Sequence, residues 1–169
     1  MSPELDKALC EKYPLIFANR NGDKMDTCMA WGLECGDGWY NIINTLCGAI
    51  QGRIDNRNKQ IDYVTKMNDM VNEYAHGNNV PLLEYAGKQA SLYLKMGIKE
   101  VPKAIPQVVA NQVKEKFGGL RFYYSGGDDY IEAMVELAEH LSDVTCDVCG
   151  APGKQSGGGW IVTRCEAHA

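Results

Sequence analysis

The chain has 169 residues, 45% of them hydrophobic and 23% charged, with a net charge of −5. That length supports one ordinary core, with at most a small metal-held appendage. The acidic balance argues against a general nucleic-acid binder, which would carry a basic stripe, and no apolar run of roughly 18 residues offers a membrane span. The charge is also too weak for a DNA mimic. The start, Met1-Ser2-Pro3-Glu4, is polar and acidic and reads as no signal peptide, so a reducing cytosol is expected for the seven cysteines.

Ser2 and Pro3 predict the start of a first helix, with Leu5, Ala8, Leu9 and Tyr13 on one face and Pro14 as its stop. Residues 15–35 hold the turn-rich run Asn19-Arg20-Asn21-Gly22-Asp23 and read as a loop. Asp37 is expected to cap a long helix. Its stripe begins Ile43, Leu46, Cys47, Ile50, Ile54 and continues Ile61, Val64, Met67, Val71, Tyr74, with Gly77 as a stop. Residues 37–76 are thus one helix, or two with a break in the polar stretch Arg53–Gln60. A following helix, from Asn79 or Pro81 to Met96, is expected to form a hairpin with it. Pro102 and Pro106 impose extended backbone. A β-hairpin is expected near 108–125 around Gly118-Gly119, although Ala110–Lys116 also suits a short helix. Asp128 predicts a capped helix with Ile131, Met134, Val135, Ala138 and Leu141 on one face.

The strongest motif lies at the end. Cys146-Asp147-Val148-Cys149 and Cys165-Glu166-Ala167-His168 form a C-x2-C … C-x2-H array with 15 residues between the halves. Three thiolates and one imidazole suit tetrahedral zinc, and four protein ligands leave no open position for water. Cys146, Cys149, Cys165 and His168 are therefore the expected ligands of a structural Zn2+. Cys10, Cys28, Cys35 and Cys47 read as small buried hydrophobes. A second metal set from Cys28, Cys35 and Cys47 is the other reading.

Weaker signals surround this one. Gly150–Ser156 resembles a phosphate-binding loop but is two residues short of the spacing. Lys154 and Arg164 read as solvated loop cations. Alternation leaves at most half of Phe122, Tyr123, Tyr124 and Trp160 free for stacking. His76 and His140 sit near helix ends, where a cation suits the dipole. Asp128, Asp129, Glu132, Glu136 and Glu139 form an acidic helix face. Among Trp31, Trp39 and Trp160, Trp39 is expected in the core.

Glu34–Tyr40 (ECGDGWY), Gln112–Tyr124 (QVKEKFGGLRFYY), the C-terminal CxxCG … GW … CxxH and Lys12-Tyr13-Pro14 together resemble a family of small zinc-binding accessory proteins of tailed bacteriophages and prophages. The resemblance implies a phage accessory protein acting in the bacterial host cytoplasm, with the same four zinc ligands.

The expected architecture is α+β: a mostly helical body over residues 1–143 with a small β-hairpin, and a C-terminal zinc knuckle or ribbon over 144–169, packed on that body. The expected function is a non-enzymatic protein that binds and inhibits a host macromolecule, such as a CRISPR-Cas-type anti-phage effector. The expected partner is a host or defence-system protein, with no membrane and with homo-oligomers through the long helices as a further option. The alternatives are a nucleic-acid binder using the zinc module, not favoured by the charge, and a nucleotide-signal sponge or small enzyme.

Overall fold

The first helix, α1 (Pro3–Lys12), starts where Ser2 and Pro3 predict. Ser2 makes no side-chain cap; its N–H instead donates to Asp37 Oδ1 at 2.5 Å. The buried face also differs from the apolar pattern. Leu9 is buried but Ala8 is exposed, and Asp6 is buried in its place. An inward carboxylate is tolerated because Arg20 meets it with two nitrogens, the shorter contact being 2.6 Å. The computed structural model describes residues 1–23, 25, 27–76, 95 and 97–169.

Residues 15–35 form a loop tightened by short 3-10 turns at Ala18–Asn21 and Cys28–Trp31. Asp37 does not cap the long helix; it lies in a 3-10 turn, Asp37–Trp39, that leads into it. The helix, α2 (Tyr40–His76), is one unbroken element of 37 residues. The polar stretch Arg53–Gln60 holds neither glycine nor proline, so nothing in it breaks the backbone hydrogen bonding. The expected helix from Asn79 or Pro81, and its hairpin with α2, fall almost wholly outside the described residues.

β1 (Val109–Lys116) and β2 (Gly119–Ser125) pair antiparallel, with a bulge between Ala110 and Gln112. The first arm is therefore strand. Val113, Leu120 and Phe122 face the core, while Gln112, Lys114, Lys116, Arg121 and Tyr123 take the other face. The turn sits one residue earlier than the Gly-Gly pair suggests. Lys116 pairs with Gly119, so the two loop residues are Phe117 and Gly118, with φ of 54° and 78°. Positive φ at both is a type I′ turn, for which Asn-Gly is the favoured pair. A bulky residue there carries local backbone strain. Phe117→Asn is accordingly expected to stabilise the fold by about 1 kcal/mol, a rise in Tm of roughly 3 °C; thermal unfolding followed by circular dichroism checks it.

α3 (Asp129–Ser142) is capped by Asp128, whose Oδ1 accepts the Ile131 N–H at 3.1 Å. Asp128 also takes Arg53 through two nitrogens, so it is not a solvated member of an acidic face. Ile131, Val135 and Ala138 are buried as expected, but Leu141 is exposed and Ser142 is buried. Ser142 earns its position through hydrogen bonding: its Oγ accepts the Leu120 N–H at 2.7 Å. Glu139 Oε1 likewise accepts the Phe122 N–H at 2.8 Å, which joins α3 to β2.

The fold is α+β. The chain divides into two units: residues 1–53 with 106–169, and residues 54–105. The first holds the core of Leu9, Ile16, Trp39, Ile43, Ile50, Val113, Leu120 and Ile131. Glu34 extends the hairpin as a parallel bridge, donating to Val113 O and accepting from Glu115 N–H at 2.9 Å each. In the second unit, Ile54, Val64, Val71 and Ile105 are buried, and Asn68 bonds both backbone groups of Lys99. Among the described residues, no helix is long and apolar enough to cross a membrane.

Candidate metal centre

Two short turns bring the four sequence-predicted donors together. In the first, Gly150 N–H donates to Cys146 O at 2.9 Å, with Gly150 at φ 77°, so Cys146 and Cys149 point to one side. In the second, His168 N–H donates to Cys165 O at 2.9 Å. Between them the chain runs out and back as β3 (Lys154–Ser156) and β4 (Val162–Arg164), an antiparallel pair. Gly150–Ser156 thus leads into a strand, and the helix that a phosphate-binding loop needs is not there.

All four ligand atoms lie within 4.8 Å of one another. Cys149 Sγ is 3.7 Å from Cys165 Sγ, and His168 Nδ1 is 3.5 Å from Cys146 Sγ and 3.2 Å from Cys165 Sγ. The imidazole thus presents Nδ1 to the cluster. For Cys146 the largest influence is burial, which pushes the thiol up. The N–H groups of Cys165, Cys149 and Val148 together outweigh it and bring the thiol down to about 6. The Ala151 N–H favours the Cys149 thiolate, but burial and the neighbouring Cys146 and Cys165 outweigh it and raise that thiol. Three sulfurs this close repel one another when ionised, and a cation at their centre removes the conflict. The cluster can hold a metal ion.

The outer contacts fix this cluster to the body. Asp147 N–H donates to Thr163 O at 3.0 Å, and Arg164 Nε lies 2.7 Å from Asp147 Oδ1. Those two buried atoms meet as an ion pair without an aligned hydrogen bond, and Arg164 is therefore not a free loop cation. Thr163, fully buried, donates through Oγ1 to Gly118 O at 2.5 Å. Gly38 N–H donates to Asp147 O at 2.9 Å, and Trp39 Nε1 donates to Thr145 O at 2.8 Å. Sequence reasoning placed Trp39 in the core but missed that Gly36–Trp39 is the seat of the metal module.

Gly36 and Gly38 are required there by close approach. A Cβ on Gly38 would lie 2.1 Å from Cys146 O and 2.5 Å from Gly150 N, and one on Gly36 would lie 1.9 Å from Asp147 O. Both neighbours are backbone and cannot swing aside. Gly38→Ala is expected to cost about 3 kcal/mol by overpacking and to weaken metal retention. Chemical denaturation of wild type and variant at equal metal loading checks this.

The remaining cysteines are separate. Among the described residues, Cys28, Cys35 and Cys47 do not gather into a donor set. Burial pushes the thiols of Cys10, Cys35 and Cys47 up to about 12; at Cys10 the Asp6 carboxylate adds to it. These are inert thiols; of the four expected to be buried, Cys35 and Cys47 are, Cys10 is half-buried and Cys28 is exposed. His140 Nδ1 contacts Glu136 O at 2.8 Å in the last turn of α3, as a helix-end histidine does. Phe122 is buried; Tyr123 and Trp160 are exposed. Compared with models of protein families, with curated proteins and with solved structures, the chain matches none.

Proposed function

We propose that the chain is a non-enzymatic accessory protein of the tailed-phage type, which carries one structural zinc and acts by contact with a host macromolecule in the bacterial cytoplasm. An effector of an anti-phage defence system is the partner class that this reading favours. The observation that carries it is the geometry of the four donors. Tetrahedral zinc with sulfur at about 2.3 Å and nitrogen at about 2.0 Å needs S···S edges near 3.8 Å and S···N edges near 3.5 Å. The Cys149–Cys165 and Cys146–His168 separations, 3.7 and 3.5 Å, lie at those edges, the Cys165–His168 separation of 3.2 Å is slightly short, and all four donors lie within 4.8 Å of one another.

Four protein ligands complete the coordination sphere, so the metal would have no position for substrate or water. Its contribution is folding free energy and a rigid surface. The net charge of −5 suits competition for basic, nucleic-acid-binding surfaces of a partner. The test is affinity purification of the zinc-loaded chain from infected cells with crosslinking, followed by assay of the captured effector. A stoichiometric partner whose activity falls on adding the chain supports the reading. Recovery of no specific host or defence protein refutes it.

A further inference from the structure

We infer that the cleft between the β1–β2 turn and the glycine-rich β3–β4 loop takes an unpaired base of a single-stranded nucleic acid. The base would stack on Trp160 and Phe117, with phosphates held by Lys114 and Lys116. This site is independent of the partner proposed above and uses none of the metal ligands.

Three observations meet here. The first is Phe117, which is 67% exposed at a backbone conformation that a large side chain disfavours. Neither folding nor solvation explains a phenylalanine in that position, and strain kept at an exposed tip points to use. The turn is fixed from both sides: Glu115 Oε1 accepts the Gly118 N–H at 2.7 Å, and Thr163 Oγ1 donates to Gly118 O. The second is Trp160, 75% exposed on the neighbouring loop. Glu115, Lys116, Phe117, Trp160 and Ile161 line a cleft of about 350 Å³. That lies at the small end of ligand pockets, where a single nucleotide unit fits.

The third is charge. By strand register, the outward face of the hairpin carries Lys114, Lys116 and Arg121 with Tyr123, in a chain that is acidic as a whole. Lys114 Nζ lies 5.5 Å from the Tyr123 ring, and Lys116 Nζ lies 5.4 Å from the Phe117 ring. Carboxylates stand at its edges: Glu34 is 3.4 Å from Gln112 Nε2, and Glu139 is 3.9 Å from Arg121. Glu115 also lines the cleft, but its carboxylate is engaged on the turn, where Oε1 accepts the Gly118 N–H. Aromatic faces interleaved with lysines are what a single strand needs, since bases offer π-faces and phosphates offer charge. A duplex hides its base faces, and lysine is depleted at protein–protein interfaces.

The test is fluorescence anisotropy with a labelled oligothymidylate of about twelve nucleotides and a duplex of equal length, between about 50 and 200 mM salt. The single strand is expected to bind at least about tenfold more tightly than the duplex, with a log–log salt slope near −1.4 for two phosphate contacts. Trp160→Ala is expected to weaken binding roughly tenfold or more while melting and metal content stay as in wild type. Lys114→Gln with Lys116→Gln is expected to flatten the salt slope. Absence of binding to the single strand, equal affinity for the duplex, or a Trp160→Ala chain that binds as tightly overturns the inference. None of these outcomes bears on capture of a host protein, so the two proposals fail separately.

Discussion

Cys146→Ser is expected to unfold residues 144–169 and to lower the thermal stability of the body as well. Structural zinc supplies on the order of 10 kcal/mol of folding free energy to small modules of this kind. Cys146 is the one fully buried donor, so its sulfur cannot be replaced by a ligand reaching in from solvent. Without an ion, the two turns keep only two strands of three residues each, the Asp147 N–H to Thr163 O hydrogen bond, the Asp147–Arg164 ion pair and the few bonds to the body, against the repulsion of three clustered sulfurs. The body then loses the partners of Gly38, Trp39 and Gly118, all of which bond to the module. A loss of roughly 5 kcal/mol or more is expected for the first unit, read by hydrogen exchange at Trp39, Leu120 and Thr163. Protection that is unchanged at those amides would mean that the module is an ornament on an independently stable body.

The second large effect is expected at Trp39. Its ring is fully buried, and its Nε1 spans 106 residues to reach Thr145 O. Trp39→Ala removes the largest buried side chain of the core and is expected to cost roughly 3–5 kcal/mol. Trp39→Phe separates packing from hydrogen bonding. It keeps an aromatic ring but leaves a part-buried carbonyl without its donor, for roughly 1–2 kcal/mol. The phenylalanine variant is expected to hold metal more weakly than wild type, because Thr145 directly precedes Cys146. Urea denaturation with a zinc competitor in the same buffer measures both. Equal stability of Trp39→Phe and wild type would show that the indole N–H is not a tie between body and module.

What the sequence disclosed follows from the range of the interactions involved. The four donors were legible because each pair sits within one turn, so spacing alone aligns its ligand atoms. The stripe from Ile43 to Ile54 was legible because burial on a helix repeats locally, and every member is buried. The cap at Asp128 was legible for the same reason. Asp37 was misread because its partner is Ser2, 35 residues away, and local spacing carries no trace of that contact. The Asp6–Arg20 pair left no sign in the local pattern because only the fold brings the two together. The hairpin turn was placed one residue late because glycine usually takes both left-handed positions. Here Phe117 takes the first and Gly118 the second, which leaves Gly119 in β2 as the partner of Lys116. The misplaced turn and the exposed tryptophan beside it are the residues that the nucleic-acid inference uses. That fits the tendency of local rules to fail at working surfaces.

The seating of the module also explains why two glycines and a tryptophan occur together as Gly36-Asp37-Gly38-Trp39. The glycines admit the backbone of Cys146–Gly150, and the tryptophan holds the residue before it. Both features seat a turn whose three clustered sulfurs a metal ion would hold rigid. Zinc K-edge X-ray absorption on the chain purified without chelator tests this most directly. One zinc per chain is expected, with three sulfurs at about 2.3 Å and one nitrogen at about 2.0 Å. A chain that folds with no zinc, or a first shell of oxygen and nitrogen without sulfur, would contradict it.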